Sequence, residues 1–250
     1  MSNTRLFSTV ACEYSLFRPG YPEELFEWLA RAAPARDAAW DCGCGNGQAS
    51  VPLAAHFSQV FATDAAAEQL AAAKRHPRVS YSVAPAEHSG LADASVDLVT
   101  VAQALHWFDV EAFYAEARRV ARPGAVIAVW NYPRPRFVDP AFDQPFLEFY
   151  RDVVGPYWPA ERRHIESNYA TLPFPFEELP HPQFAIELRW NFEQVLGYVS
   201  SWSATTRYRQ ATGSDPLPLL RASLSPIWPA AGQQVSVRMP IGLRAGRLDR

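Results

Sequence analysis

Apolar runs of strand length alternate with helical patterns through the first half of the chain. Ala38-Ala39-Trp40-Asp41 is a short apolar run ending in an acid, Gln59–Asp64 is a second, and Val79–Val83, Val96–Ala102 and Ala125–Trp130 continue the series. Helical patterns fill the intervals at Ala49–Phe57, Ala65–Lys74 and Val110–Val120, and another, Glu23–Ala30, precedes the first strand. In that first helix Leu25, Phe26 and Leu29 share one face, Pro22 suits the first helical position, and Glu23 and Glu24 complement the N-terminal dipole. Pro52 is tolerable in the next helix because it falls near the first turn. Asp109 is placed to cap Val110–Val120, and Pro123-Gly124 to stop it. The alternation predicts an α/β fold with a doubly wound, mostly parallel sheet and helices on both faces.

The pattern changes after Trp130, beyond which 15 of the 22 prolines fall. Few strand-like runs and many aromatics predict a helical, loop-rich cap over roughly Arg134–Pro182. Strand patterning resumes at Phe184–Trp190 and ends at Val235–Arg244, where Pro240 suits an edge or a bulge. Helical pieces at Phe192–Ser201 and Leu217–Leu224 lie between them. Three segments follow: a ligand-binding Rossmann-like core at 1–132, a cap or substrate segment at 133–183, and completion of a seven-stranded sheet, with a helical insertion, at 184–250.

Composition narrows the function classes. A length of 250 residues, nearly half of them hydrophobic, suits one α/β domain with an appended cap. A formal net charge of −3 with interspersed signs lacks the footprint of a nucleic-acid binder. Cys12, Cys42 and Cys44 include no C-x-x-C pair, so neither a disulfide framework nor a zinc site is expected. The start, Met1–Leu6, has no apolar run of signal-peptide length, and no later window approaches a membrane span. A soluble, cytoplasmic protein is expected, a monomer or weak homodimer.

The chemistry centres on Asp41-Cys42-Gly43-Cys44-Gly45-Asn46-Gly47-Gln48, a strand end and glycine turn leading into a helix. Glycines let a ligand approach the main chain. A dinucleotide fingerprint would place its third glycine at position 48, which is Gln48. Asp41 at the strand's end would repel a pyrophosphate but suits a ligand bearing an ammonium group. Asp41-x-Gly43-x-Gly45-x-Gly47 therefore resembles motif I of class I S-adenosylmethionine-dependent methyltransferases, in which the acid lies near the cofactor's methionine amino group. Asp64 ends the next strand 23 residues later, one β-α-β unit on, where a carboxylate can accept bonds from ribose hydroxyls; the plainer alternative is a helix N-cap.

The resemblance extends to three further stretches. Ala84-Pro85-Ala86-Glu87 is similar to the acid-containing turn that holds the adenine in this family, with a solvated surface acid as the other reading of Glu87. Tyr14 and Arg18, before Pro19-Gly20-Tyr21-Pro22, resemble the arm that folds over the cofactor in the trans-aconitate-methyltransferase-like group; they could equally be a packed arm with a surface charge. Gln103-Ala104-Leu105-His106-Trp107 matches methyltransferase-11 sequences and leaves the fourth strand at the edge where open sheets bind ligands. There His106 and Trp107 are candidates to face the transferred methyl, against a satisfied buried histidine and a core aromatic.

This implies S-adenosylmethionine as cofactor, no metal, and a small-molecule acceptor, acidic if a cap arginine (Arg134, Arg136, Arg162, Arg163, Arg207, Arg209) meets it. The Asn/Asp-Pro-Pro-aromatic run of enzymes that methylate exocyclic amines in nucleic acid is missing from the loop after the fourth strand. A carboxylate acceptor needs no general base, whereas for a hydroxyl His106 is the histidine placed to take the proton. A nicotinamide-dependent oxidoreductase and a catalytically silent cofactor-binding protein are the competing functions.

Overall fold

A computed structural model describes residues 19–230 and 232–248. Its central sheet has six strands in the order β3-β2-β1-β4-β5-β9. The strands are β1 (Ala38–Cys42), β2 (Gln59–Asp64), β3 (Val79–Val83), β4 (Val96–Ala102), β5 (Ala121–Asn131) and β9 (Gly242–Arg247). The first five pair in parallel, and β9 runs antiparallel along β5. Order reverses between β1 and β4, so loops diverge there and leave a crevice at the strands' C-terminal ends. β1 and nearly all of β4 are buried, as strands covered on both faces must be, which is why they read as continuous apolar runs.

The helices follow their patterning. α1 (Glu23–Ala32) buries Leu25, Phe26 and Leu29. α2 (Ser50–His56) and α4 (Val110–Val120) flank the sheet, and the Asp109 side chain caps α4 by accepting from Ala112 N. α3 is shorter than expected, Ala67–Ala71 in place of Ala65–Lys74: at its start Asp64 accepts from Ala66 N in a turn that holds the chain off helical dihedrals, and beyond its end Lys74 N donates to Asn46 O instead of continuing the helix.

The C-terminal half departs from expectation. The central sheet has six strands in the described residues, not seven. The segments expected to complete it, Phe184–Trp190 and Val235–Arg244, mostly form a second sheet. There β7 (Ala185–Trp190) and β6 (Arg136–Phe137) pair antiparallel on either side of β8 (Val235–Pro240). The expected last strand is two strands in two sheets, with Ile241 at the crossing. Pro240 makes this possible, because at the end of β8 it is paired only with Ala185 and needs no ladder donor on its other side. The cap carries α5 (Pro140–Glu148) and α6 (Arg162–Glu166), with a π turn at Phe149–Val153 between them. α7 (Phe192–Ser200), α8 (Ser203–Thr212, which the patterning missed) and α9 (Leu217–Leu224) lie between β7 and β8. One hydrophobic cluster runs from α1 through Trp130 and Tyr132 to Phe146, Trp202, Val237 and Leu220, so core and cap share an interior. Among the described residues no helix is long and apolar enough to cross a membrane.

Candidate functional site

A cavity of about 300 Å³ opens at the C-terminal ends of the parallel strands. Its walls come from the loops after β1, β2, β3 and β4, closed by Tyr132 after β5 and Tyr21 ahead of α1. Asp64, Ala86, Glu87, Gln103, Trp107, Gly43 and Gly45 all lie on the wall. Short connections from adjacent parallel strands converge at this edge, so residues far apart in sequence meet without long excursions.

The glycines have different jobs. A Cβ on Gly45 would find only Gln69 Oε1 within 4 Å, at 3.9 Å, so the protein leaves that space open and the cavity takes it. A Cβ on Gly47 would collide with the Tyr81 hydroxyl, whose proton is donated to Lys74 O at 2.9 Å. Gly47 is thus required by packing and does not reach the cavity wall, contrary to the expectation that it lines the ligand. Gly43 reaches the wall but is also crowded, by Ala104 Cβ at 2.7 Å and Phe108 Cζ at 2.9 Å from the added atom.

The acids are held by donors. Asp64 accepts from Gly45 N through Oδ2 and from Ala66 N through Oδ1, both at 2.8 Å, so both oxygens are oriented and each keeps a lone pair. Burial raises its pKa and those two N–H bonds pull it back down. Glu87 Oε1 accepts from Asp109 N at 3.0 Å, tying the turn after β3 to the loop after β4. Asp41 differs from the expected ligand contact, being fully buried and absent from the wall. Ser50 donates to its Oδ2 at 2.5 Å and Thr100 to its Oδ1 at 3.0 Å. Burial pushes its pKa up to about 6 despite these hydroxyls, and the nearby charge of Asp64 adds to the rise.

Gln103 takes a left-handed backbone, φ 60°, a strained choice for a residue with a Cβ. Two bonds to the end of β5 hold it, from its backbone N to Trp130 O at 2.9 Å and from Nε2 to Tyr132 O at 3.0 Å. That turn directs Leu105–Trp107 into a single 3-10 turn, with Trp107 on the cavity wall. His106 is not on that wall. Its Nδ1 meets the hydroxyl of fully buried Tyr169 at 3.3 Å, and burial, followed by the charges of Arg162 and His164, drives its pKa down to about 3. The imidazole is therefore neutral across the physiological range.

Tyr14 and Arg18 lie outside the described residues. The wall also includes Tyr21, Asn46, Gln69, Phe108 and Tyr132, which sequence reasoning did not single out. Tyr21 and Phe108 adjoin stretches already of interest, and Tyr132 follows a strand end; Gln69, a polar residue on a short helix, carries no sequence signal.

Residues 40–129 match a family model described as a methyltransferase domain. A Dictyostelium discoideum protein named as a methyltransferase is 32% identical over 221 residues, covering 87% of this chain and 84% of its own length. A Saccharomyces cerevisiae protein named as an S-adenosylmethionine-dependent methyltransferase is 28% identical over 173 residues, 64% of this chain and 59% of its own. Among solved structures, one from Anaeromyxobacter dehalogenans described as a type II methyltransferase superimposes with a TM-score of 0.88 at 50% identity, covering 93% of this chain and 98% of that one.

Proposed function

We propose, for a chain that belongs to the class I S-adenosylmethionine-dependent methyltransferases and takes S-adenosylmethionine as its cofactor, that the acceptor is a carboxylate oxygen of a small molecule. Family membership displaces the nicotinamide alternative. The cofactor, when bound, supplies an electrophilic methyl on a sulfonium. In this reading Asp64 takes the ribose hydroxyls with its remaining lone pairs, the open face of Gly45 admits the ligand against the main chain, and Ala86 and Glu87 flank the base. Two features support the fit: the room a Cβ at position 45 would occupy, and an oriented carboxylate at the next strand end.

The protein's task is alignment and exclusion of water, because the leaving group already carries positive charge. Trp107 and Phe108 present apolar and aromatic surface to the cavity, and an indole face attracts a sulfonium. Asp41, buried behind the glycine turn with Ser50 and Thr100 as its partners among the described residues, adds negative potential that favours an ammonium group in the cavity.

The observation that carries the carboxylate assignment is His106, buried off the cavity wall against Tyr169 and neutral down to about pH 3. A group that weakly basic takes no proton from a hydroxyl at neutral pH, whereas a carboxylate acceptor is already ionised and has none to lose. This matches the trans-aconitate-methyltransferase-like resemblance of the sequence. The test is incubation with methyl-labelled S-adenosylmethionine and a panel of small carboxylic acids, phenols, alcohols and amines. Label released as methanol by mild base identifies a methyl ester. Turnover confined to base-stable products would refute the assignment.

A further inference from the structure

Of the four non-glycine residues with a left-handed backbone among the described residues, three belong to two segments that touch at the turn Leu105–Trp107. Gln103 starts the loop after β4, while Asn168 and Tyr169, with φ of 50° and 62°, follow α6 in the cap. Such dihedrals are costly for any residue with a Cβ, so two in succession, one of them a bulky aromatic, must be held by their surroundings. Tyr169 N donates to His164 O at 2.7 Å. Arg244 on β9 donates through Nη1 to Tyr169 O at 3.3 Å and to Leu172 O at 3.2 Å, with its guanidinium carbon 4.6 Å from the centroid of the Phe174 ring. The Tyr169 side chain that this backbone carries is fully buried.

A buried phenol must place its proton. The Tyr169 hydroxyl lies 3.3 Å from His106 Nδ1. Burial raises its pKa far above the usual tyrosine value, against the pull of the Arg162 charge and of the Leu105 backbone N–H, so the hydroxyl keeps its proton. With an amide N–H acting on the oxygen, that proton is donated to Nδ1, and the neutral imidazole carries its own on Nε2. One hydroxyl thus engages the first two residues of the 3-10 turn. The rings continue the contact: the His106 centroid lies 6.1 Å from that of Tyr169 and 4.6 Å from that of Trp107, with interplanar angles of 30° and 44°. Trp107, the third residue of the turn, stands on the cavity wall. A three-residue 3-10 turn has poorly aligned bonds of its own and gains its rigidity from outside.

We infer that Tyr169 is the positioning residue for Trp107: from the cap, its hydroxyl fixes the turn Leu105–Trp107 and so holds the indole against the sulfonium of the bound cofactor. Tyr169 lies behind the wall and acts through the turn. The gain is preorganisation, since an indole already fixed in place costs less ordering when the methyl donor arrives. A residue 63 positions after His106 thereby sets part of the cofactor's surroundings. This rests on the reading of Trp107 given above. Tyr114 supplies the contrast. It is also buried, but its hydroxyl donates to Pro173 O at 2.9 Å, tying α4 to the same cap segment away from the turn.

The test compares S-adenosylmethionine with S-adenosylhomocysteine, which differ by the methyl and its positive charge, in calorimetric titrations of the full chain. Trp107→Leu should lower the preference for S-adenosylmethionine about threefold or more. Tyr169→Phe keeps the ring, loses the hydroxyl, and should lower that preference by a comparable factor while S-adenosylhomocysteine affinity changes little. In the double variant the hydroxyl should have no further effect, because it acts through the indole. Tyr114→Phe should lose similar thermal stability and retain the wild-type preference. Wild-type preference in Tyr169→Phe, an equal loss in Tyr114→Phe, or multiplying effects in the double variant would each overturn the inference. Nitrogen NMR of the wild-type His106 ring at pH 7, identified by its absence from His106→Asn, requires no Tyr169 variant to fold. A proton found on Nδ1 there would also overturn it, because the hydroxyl would not be the donor that fixes the ring. An unchanged preference in Trp107→Leu would instead remove the indole from the sulfonium and sink the earlier reading at its source, so the two failures are told apart by which variant leaves the preference alone.

Discussion

Single residues divide here between those that face the cavity and those that shape it from behind. Asp64→Ala removes an acceptor for ligand hydroxyls and is expected to weaken S-adenosylmethionine binding by about 1.5–3 kcal/mol, roughly ten- to hundredfold. Titration calorimetry giving an unchanged constant with the fold intact would remove the ribose assignment. The glycines offer a contrast. Gly45→Val fills space the protein leaves open, so it should abolish cofactor binding while lowering the melting temperature only modestly, through left-handed strain. Gly47→Ala should do the reverse, because its Cβ must displace Tyr81 from Lys74 O before any ligand is involved. Thermal melts and cofactor titrations on both variants separate the roles. His106 contributes one part of the pH dependence of stability. Its folded pKa, about 3, lies below the ordinary 6.5, so the unfolded chain takes up the proton first. Its contribution to stability is therefore intact above pH 6.5 and is lost as pH falls toward 3. His106→Asn should flatten the fall in melting temperature between pH 6.5 and 4 and leave the rate between pH 8 and 6 without an acid limb. A sharp loss of turnover in that variant, with cofactor affinity unchanged, would instead make His106 a base.

At the level of elements, the site depends on how loops are tied to strand ends. The loop after β4 is held from three sides: Gln103 bonds to the end of β5, Asp109 caps α4, and Glu87 reaches over to Asp109 N from the turn after β3. Asp109→Ala removes the cap, which should cost about 1 kcal/mol and lower the melting temperature by roughly 2–4 °C. The Glu87 bond to the backbone at position 109 survives that change, so cofactor affinity should move little. A large loss of affinity without a loss of stability would show that the Asp109 carboxylate itself meets the ligand. The extent of α3 was less legible, because a local bond from Asp64 to Ala66 N outcompetes the first helical turn, and alanine periodicity does not register such a bond.

For the whole molecule, the shared interior of core and cap matters more than the boundary composition suggests at Tyr132. Trp130 and Tyr132 pack in the same cluster as Phe146, Trp202 and Leu220, and β9 returns from the chain's end to cover the edge of β5. A chain ending at Tyr132 would expose that cluster and an unpaired strand edge, and is expected to fail to fold as a soluble monomer. The intact protein should melt in one transition in calorimetry and circular dichroism alike. A well-folded 1–132 fragment that binds S-adenosylmethionine would show that the cap is an independent unit.

Local chemistry determined the first half of this protein. Runs of strand length bounded by acids and glycines commit β1 to β4 to a parallel sheet, buried at β1 and β4 and partly exposed at the edge strand β3, and the direction of the chain then places Gly45, Asp64, Glu87 and Trp107 at one edge. Such placement is legible in sequence because each connection is short and local. What only tertiary structure decided are relations between distant segments. Val235–Pro240 and Gly242–Arg247 read as one strand, yet each follows its own pairing partner, and partners are not written in a strand's own periodicity. Asp41 and His106 carry ligand-site chemistry in the motif but lie off the wall, because Ser50, Thr100 and Tyr169 take up their polar atoms. Arg162, one of six cap arginines of equal standing in the sequence, is set apart by a stacking ring, a hydroxyl at Nε and an ion pair with Glu166, and that distinction exists only once the chain has closed on itself.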